Sequence, residues 1–530
     1  MVVSTGSKNL GDLVDKNDNT EYIEDGKNLQ SFRAKLEHSH NAFGAEFKDK
    51  EGLTLKLDKH GVPLSPQPSD DPEDPLNWSG LYRTFILIQV SILSALGTYN
   101  TAIINPAYNQ LSEQFGVSIV TASYQTTVVI AVNGLGPFLF IPFAHVYGRR
   151  PVYLFTTFIG AASALGCAYA QNFSQLVGLR ILNGIFPVGA ALGVATANDL
   201  FCLHERGRAL GVYTVLSTTG AHFAPIPGGL IGQFLGWQWI FKFAAITNSF
   251  CLLFTFFFLP ETLYIRGQTI DAVKDFNSTP NNSFRRYWRR MNLGKRYAGR
   301  KLRISDFFWP YVKMIRYPSV VFPAIYYGTQ YGLGSTLPAV TVSHIFAQEF
   351  GWDTLQIGLA YGTALLIGAF LGETAGGWVV DSIMNRARRK ALTGPSAPSE
   401  IRLRAIWTGE IIVPIGLLWY GFSIQFRAPW IVPIIGMGVA CFGVQCITTV
   451  IADCHLTKSA EVAQVFNFVR QEIGMTFAFY AIVLGEAIGG YHLLFIFFAC
   501  VGSILAFIPI LVLMWKGEAI RAAEQRVFAD

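Results

Sequence analysis

Twelve long apolar runs lie between Leu81 and Lys516, and the Lys and Arg residues between them are concentrated in alternate connections. The connections after runs 2, 4, 6, 8 and 10, together with the C-terminal tail, carry twenty-seven basic side chains. The other six connections carry only Arg427. Because basic residues beside membrane spans accumulate on the cytoplasmic side, the pattern predicts a polytopic membrane protein with twelve spans and both termini in the cytoplasm.

The composition indicates that most of the chain is in contact with an apolar medium. Of its 530 residues, 51% are hydrophobic and only 14% are charged, against roughly a quarter charged in soluble domains. Basic loops facing anionic lipid explain the net charge of +6 without a nucleic-acid partner. The seven cysteines have neither CxxC nor zinc-ligand spacing, and no HExxH, GxSxG or phosphate-loop motif occurs. We therefore expect no metal, cofactor, nucleic acid or enzymatic activity.

The spans divide the chain into two bundles. A helix needs roughly 20 residues to cross a hydrocarbon core of about 30 Å. On this basis we predict an all-α membrane protein with spans near 82–106, 119–144, 152–171, 174–199, 210–233 and 238–260, then 317–341, 356–380, 403–424, 430–452, 463–486 and 491–515. The predicted domains are a disordered cytoplasmic N-terminal tail (1–79), an N-terminal six-helix bundle (80–260), a basic cytoplasmic central loop (261–316), a C-terminal six-helix bundle (317–515) and a cytoplasmic C-terminal tail (516–530).

The central loop carries thirteen basic and four acidic residues. Its pairs Arg285–Arg286 and Arg289–Arg290 are four residues apart, which would place them on one face of a helix. Two interpretations stay open for this loop: an amphipathic helix on the membrane surface, or a solvated basic linker.

The two halves of the chain resemble each other. Span 4 ends with Asp199 and span 10 with Asp453, so each half has an acid at the inner end of its fourth helix. The segment 141–150 after span 2 likewise has a counterpart in 377–381 after span 8. A six-plus-six repeat of this kind is typical of transporters whose site lies between two rocking halves.

Seven short motifs occur in a fixed order at the span ends. They are Asp74-Pro-Leu-Asn-Trp-Ser79, Tyr147-Gly-Arg-Arg-Pro151, Arg180-x-x-Asn183-Gly184, Glu205-Arg-Gly-Arg-Ala209, Gly220-x-x-x-Ala224-Pro225-x-Pro227-Gly228-Gly229, Gly236-Trp-Gln-Trp-Ile-Phe241 and Leu259-Pro-Glu-Thr262. On these motifs, residues 71–526 resemble the major facilitator superfamily, specifically the fungal twelve-span drug:proton antiporter branch, which is related to histidinol and polyamine transporters. The resemblance implies the major facilitator fold and alternating-access transport.

The loop after span 2 matches the family pattern only in part. Gly148 permits a tight turn between helices, and Arg149 and Arg150 suit lipid phosphate and helix C-terminal carbonyls. However, Ile141 and His145 stand where the family pattern has a glycine and an acid. The resemblance implies a latch between the halves at this loop, and positive-inside bias alone is the alternative explanation of the arginines.

Span 5 carries a motif that the resemblance assigns to an exporter-type gate. Gly220 and Ala224 place small residues one turn apart, so that a neighbouring helix can approach closely, and Pro225 removes a backbone donor. Generic close packing is the alternative. The complete set of residues predicted to act in gating is Gly148, Arg149, Arg150, Gly220, Pro225, Gly228, Gly229, Gly377 and Asp381.

Ionisable residues within the membrane cost about 3 kcal/mol each on insertion scales and usually have a function. Spans 1 to 3 contain no acid, so a proton carrier must come from His222, Glu373, Glu410 or Glu472. We favour Glu373, which lies beside a stripe of glycines on span 8. A static ion pair between Glu373 and Arg470 is the alternative.

Polar and aromatic side chains on several spans are candidates for a substrate cavity. The predicted substrate- and proton-binding residues are Glu373, Arg180, His222, Asn100, Gln125, Tyr327, Gln330, Tyr331, Gln445, Asn467 and Arg470. Tyrosine rings beside a carboxylate would suit an organic cation through a cation–π attraction of about 0.5 to 2 kcal/mol. For Arg180, binding of a ligand or water and a purely structural role both stay open.

We therefore predict a proton-coupled transporter that exports small, partly hydrophobic organic compounds by alternating access. Uptake of a cationic metabolite such as a polyamine or histidinol is the nearest alternative, and a membrane nutrient sensor is a further one. The expected partners are a small-molecule substrate, protons and the lipid bilayer, and the protein is expected to be a monomer. Kinship favours the plasma membrane, with the vacuolar membrane as an alternative.

Overall fold

The structure is a computed structural model that describes residues 56, 64–69, 71–185, 189–264, 291, 302–391, 403–451 and 459–528. Most of the predicted N-terminal tail, the arginine pairs of the central loop and Asp453 lie outside the described residues. Every regular element within the described ranges is helical. The predicted all-α fold class is confirmed.

The described helices follow the twelve predicted spans, and we number them α1 to α12 accordingly. The first six are α1 (Gly80–Ala102, continued by Tyr108–Phe115), α2 (Ile119–Tyr147), α3 (Arg149–Ala168), α4 (Phe173–Ile185 and Gly189–Leu200), α5 (Leu203–Phe223 and Pro225–Leu235) and α6 (Trp237–Phe258). The second six are α7 (Pro318–Tyr331 and Leu337–Phe350), α8 (Thr354–Ala391), α9 (Ile406–Gln425), α10 (Ile431–Ile451), α11 (Ser459–Ile488) and α12 (Tyr491–Cys500 and Ile508–Phe528).

Several spans are built from two helical segments, which the hydropathy pattern did not predict. Six described helices are long and apolar enough to cross a membrane by length and composition alone. In α7 and α12 the segments are joined by π-helical turns at Gly332–Thr336 and Val501–Leu505. In α5 the second segment starts at Pro225, which has no N–H to continue the preceding helix.

The outer surface of the helices is strongly apolar. Large side chains such as Phe234, Phe250 and Trp378 are about 70% exposed (71%, 68% and 73%), and many other aromatic and aliphatic residues are exposed with them. Contiguous apolar surface on this scale marks contact with a nonaqueous environment. Because helices satisfy their own backbone hydrogen bonds, this surface is compatible with lipid.

The buried core is divided between the halves. One large cluster draws on residues between Tyr311 and Leu513, whereas two others draw on residues between Trp78 and Leu259. The halves meet where α5 packs on α8 and α2 on α11. For example, the Phe138 ring of α2 packs edge-on against the Phe468 ring of α11, with centroids 5.3 Å apart. A site shared by both halves therefore has to lie between these helices.

Candidate functional site

A small cavity lies between the two halves, with α1, α2 and α5 on one side and α7, α8 and α11 on the other. Its volume is about 50 Å³, which holds a few water molecules, since one needs roughly 10–15 Å³. The lining residues are Thr98, Thr101, Ala102, Asn105, Thr126, Ile130, Asn133, Ala221, His222, Tyr331, Ser335, Thr336, Ala339, Tyr361 and Gln471. Both halves thus share a small, water-sized space that is lined mainly by polar residues.

Of the predicted binding residues, His222 and Tyr331 line this cavity. Gln471 and Tyr361 also line it, and our sequence analysis missed both. A signal for Gln471 was present, because it follows Asn467 by four residues and therefore lies on the same face of α11. No comparable pattern singles out Tyr361.

A cluster around α10 brings three predicted residues close together. The amide nitrogen of Gln445 lies 3.1 Å from Nε2 of His222, and the Cys441 thiol lies 3.9 Å from the same atom. Glu373 of α8 is 5% exposed and is close enough to the Cys441 thiol to interact with it electrostatically. His222, Gln445 and Glu373 are therefore grouped around Cys441, with His222 facing the cavity.

The bond between His222 and Gln445 can adapt to protonation. A neutral imidazole can accept a hydrogen bond from the Gln445 amide nitrogen. A protonated imidazole has N–H donors at both ring nitrogens, so the amide would have to turn and present its oxygen. Gln445 can therefore form a hydrogen bond with His222 whether the imidazole is neutral or protonated.

A second cluster joins α11 and α7. The guanidinium of Arg470 donates a hydrogen bond to Oδ1 of Asn467 at 2.9 Å and lies 4.6 Å from the ring centre of Tyr331. Tyr327 is hydrogen bonded to Arg470 as well. No described ion pair joins Arg470 to Glu373, so the static pair considered from the sequence does not occur within the described part of the chain.

Gln330 lies in a different environment from the other candidates. Its amide nitrogen donates to Glu410 of α9 at 3.2 Å and to the Gly502 carbonyl of α12 at 3.1 Å. The Tyr326 hydroxyl donates to the same Glu410 oxygen at 2.5 Å. Gln330 and Glu410 are 0% and 4% exposed. This cluster stabilises the packing of α7, α9 and α12 away from the cavity between the halves.

Arg180 is held by acceptors that carry no full charge. Its guanidinium donates to Oε1 of Gln125 at 2.6 Å, to Oδ1 of Asn183 at 3.2 Å and to the carbonyls of Asn100 and Thr101 at 2.8 and 3.1 Å. These carbonyls lie at the end of the first α1 segment, where a helix leaves acceptors open and favours a positive charge. Arg180 therefore binds the C-terminal end of the first α1 segment.

The side chain of Asn100 also belongs to a fixed network. It exchanges two hydrogen bonds with the amide of Asn248 of α6, at 3.0 and 2.8 Å. Three predicted binding residues, Asn100, Gln125 and Arg180, therefore already have protein partners in this conformation.

A carboxylate that follows α6 binds the N-terminal end of α3. Glu261 accepts hydrogen bonds from the backbone N–H groups of Arg149 and Arg150 at 2.8 and 3.1 Å. Burial raises the pKa of the Glu261 carboxyl, while these N–H donors act in the opposite direction. Gly148 has φ +100°, and a Cβ there would lie 2.2 Å from Glu261. Only glycine fits this turn.

The two arginines after this turn are paired differently. Nε of Arg149 lies 3.2 Å from Oδ2 of Asp199, whereas Arg150 donates to the Phe256 carbonyl at 2.6 Å and to the carbonyl of Met291. The corresponding position in the second half is more open. Asp381 is exposed, and a Cβ at Gly377 would meet no atom within 4 Å.

The small residues of α5 lie at helix contacts. A Cβ at Gly220 would lie 2.2 Å from the Ala95 carbonyl of α1, and one at Gly228 would lie 1.9 Å from the carbonyl of Ile103, directly after the first segment of α1. Gly229 faces the other half, where a Cβ would lie 2.8 Å from the Cα of Gly358 on α8. The segment after Pro225 is therefore packed between α1 and α8.

The sequence is similar to a family model and to several fungal transport proteins. The family model described as Major Facilitator Superfamily matches residues 90–479. The chain is 26% identical to the efflux pump radE of Floropilus chiversii over 470 residues, 86% of this chain and 84% of that protein. It is 26% identical to the cycloheximide resistance protein of Candida maltosa over 392 residues, 71% and 68% of the two chains.

A solved structure shares the fold. The xylose transporter XylE from E. coli, in a partially occluded inward open conformation, matches with a TM-score of 0.58 over 82% of this chain and 99% of that chain. The sequences are only 15% identical, so this likeness concerns the fold alone.

Proposed function

The chain belongs to the major facilitator superfamily, and from this premise we propose that it exports small organic compounds from the cell in exchange for protons. Transporters of this superfamily are multi-pass membrane proteins that carry small molecules across the bilayer, and they are not enzymes. The proposal adds proton coupling, the direction of transport and the class of substrate.

The polar cavity between the halves carries the proposal. Alternating access requires one site that both halves share and that opens to either side in turn. His222 lines the cavity from the first half, and Tyr331 and Gln471 line it from the second. We propose that the bundles 80–260 and 317–515 rock about this space. Export is supported by the names of the two relatives, an efflux pump and a cycloheximide resistance protein.

We assign proton transfer to Glu373. Its carboxylate is buried and shares the neighbour Cys441 with His222, which lines the cavity. Glu373 takes up a proton when the cavity faces outwards and releases it when the cavity faces inwards. Binding of the substrate and protonation of Glu373 disfavour each other, so that one is exchanged for the other.

Uptake of a cationic metabolite has less support. The charged side chain next to Tyr331 is Arg470, and a guanidinium at this position repels an organic cation. We further propose that the protein acts as a monomer in the plasma membrane, with both termini in the cytoplasm as the basic connections predict.

Proteoliposomes with an acidic lumen test the proposal. Purified protein should drive the accumulation of members of a panel of labelled organic compounds that includes cycloheximide, and a protonophore should abolish this accumulation. The same preparation carrying Glu113→Gln, an exposed carboxylate outside the predicted spans, should behave as the wild type. Accumulation that is insensitive to the protonophore, or that requires the opposite gradient, would contradict proton-coupled export.

A further inference from the structure

One face of α11 carries polar atoms whose hydrogen-bonding capacity is not used. Gln464 and Asn467 are 0% and 8% exposed. Both amide atoms of Gln464, Nδ2 of Asn467 and Nε of Arg470 are buried without a hydrogen-bond partner. Most buried polar groups in proteins have a hydrogen-bond partner, so several buried polar atoms without one on the same helix face require an explanation.

These side chains form a continuous stripe that leads to the cavity. Residues three or four apart on a helix are neighbours on one face, and the stripe rises about 10 Å between Gln464 and Gln471. Gln471 lines the cavity between the halves. Tyr331, whose ring lies 4.6 Å from the Arg470 guanidinium, lines it as well. The stripe that carries the unpartnered atoms therefore reaches the proposed substrate space at Gln471.

Arg470 has no acidic partner among the described residues. Within the described ranges no carboxylate lies within ion-pair distance of it. Arg149 and Arg83 differ, since they pair with Asp199 and Glu205, and Arg180 is bound by four acceptors. Arg470 is thus a cation within the membrane region that retains an unused donor.

We propose that this stripe binds the anionic oxygen group of a substrate, a carboxylate or a similar delocalised anion attached to an aromatic ring. Arg470 and Nδ2 of Asn467 donate to its oxygens, because a guanidinium is well suited to planar anions. The Tyr331 ring packs beside the attached ring. The assignment rests on the proposed transport function and specifies the chemical class of its substrate.

Direct binding measurements test this assignment without any transport step. The probes are benzoate, cinnamate and 2-naphthoate, each compared at pH 7 with its neutral amide and with the amine analogue of the same ring. Affinity is measured by isothermal titration calorimetry on purified protein in nanodiscs and in chloride-free buffer. At least one carboxylate should bind tenfold or more tightly than its matched amine.

Variants locate the site. Arg470→Gln should weaken carboxylate binding at least tenfold and leave binding of the amide almost unchanged, while Arg470→Lys should retain part of the preference for the anion. Arg427→Gln, which removes an exposed charge with 88% side-chain exposure, should have no effect. Thermal melting of each variant verifies that it is folded.

Three results would overturn the proposal: no carboxylate binds, the amines bind more tightly, or Arg470→Gln leaves the preference intact. In that event, water molecules alone supply the hydrogen-bond partners of the polar atoms in the stripe. Failure of the proposed transport function would give a different result: a carboxylate would still bind through Arg470, but it would not be transported against a proton gradient.

Discussion

His222 of α5 and Gln445 of α10 are joined across the two halves by a hydrogen bond of 3.1 Å. Both side chains are almost completely buried, with 2% and 1% exposure. Since one partner belongs to each half, this bond stabilises the arrangement in which α5 and α8 are closed on each other.

His222→Leu should therefore favour separation of α5 and α8. The substitution removes the bond and leaves the buried Gln445 amide without it, at a cost of about 1–3 kcal/mol to the closed state. Spin labels at Gln233→Cys and Gln356→Cys, with reactive native cysteines replaced, would report the distance by double electron–electron resonance. We expect a longer-distance population that grows about 5- to 150-fold relative to the closed one.

His222→Gln is the matched control for this experiment. A glutamine can still accept a hydrogen bond from Gln445, so the distance distribution should move back towards that of the wild type. Equal distributions for His222→Leu and the unmodified histidine would show that the bond does not stabilise closure.

Gly358→Ala should impair transport by obstructing the same interface. A Cβ at Gly358 would lie 2.6 Å from both the Cα of Gly229 and the Pro225 carbonyl. Overpacking of this kind costs about 1–3 kcal/mol, which corresponds to a fall of roughly 5- to 150-fold in the population of the closed state relative to the open one. The efflux rate, normalised to the amount of protein at the surface, should fall accordingly.

Gly178→Ala provides the comparison, because a Cβ there would meet no atom within 4 Å. It should leave efflux unchanged. If Gly358→Ala transports as fast as Gly178→Ala, tight contact between α5 and α8 is not required in the transport cycle.

Arg180→Lys should lower stability without altering proton coupling. A lysine offers donors from a single point, so it cannot reach Gln125 and both α1 carbonyls together. Each lost bond to a charged group costs about 1.5–3 kcal/mol, and the melting temperature should fall well below that of Arg427→Lys in the exposed loop between α9 and α10. A changed number of protons per substrate would instead assign Arg180 a direct part in coupling.

The hydropathy pattern predicted the fold class and the family, but not the shapes of the helices. The all-α fold and the family are confirmed. α1 was predicted to run to residue 106, yet its first segment ends at Ala102. The hydropathy pattern registers neither feature of this helix end: Pro106 has no N–H to bond the Ala102 carbonyl, and Arg180 binds the carbonyls of Asn100 and Thr101. The π-helical turns of α7 and α12 are equally invisible in an apolar run.

Candidate site residues could be found by type and depth, but not by the face they occupy. Gln330 and Tyr331 are adjacent in the sequence, and the helix directs the first to Glu410 and the second to the cavity. Glu410 lies near the start of α9, and its side chain is buried. Its bond with Tyr326 could not be inferred from one sequence, since the two residues are 84 positions apart.

Proton coupling through Glu373 is the central claim, and exchange measurements in proteoliposomes test it most directly. A compound that the wild-type protein accumulates against a proton gradient is used for both assays. Glu373→Gln should lose gradient-driven accumulation, because the amide cannot carry a proton, yet it should still exchange labelled for unlabelled compound across the membrane. Glu113→Gln should retain both activities. Gradient-driven accumulation by Glu373→Gln at the wild-type rate would contradict the account.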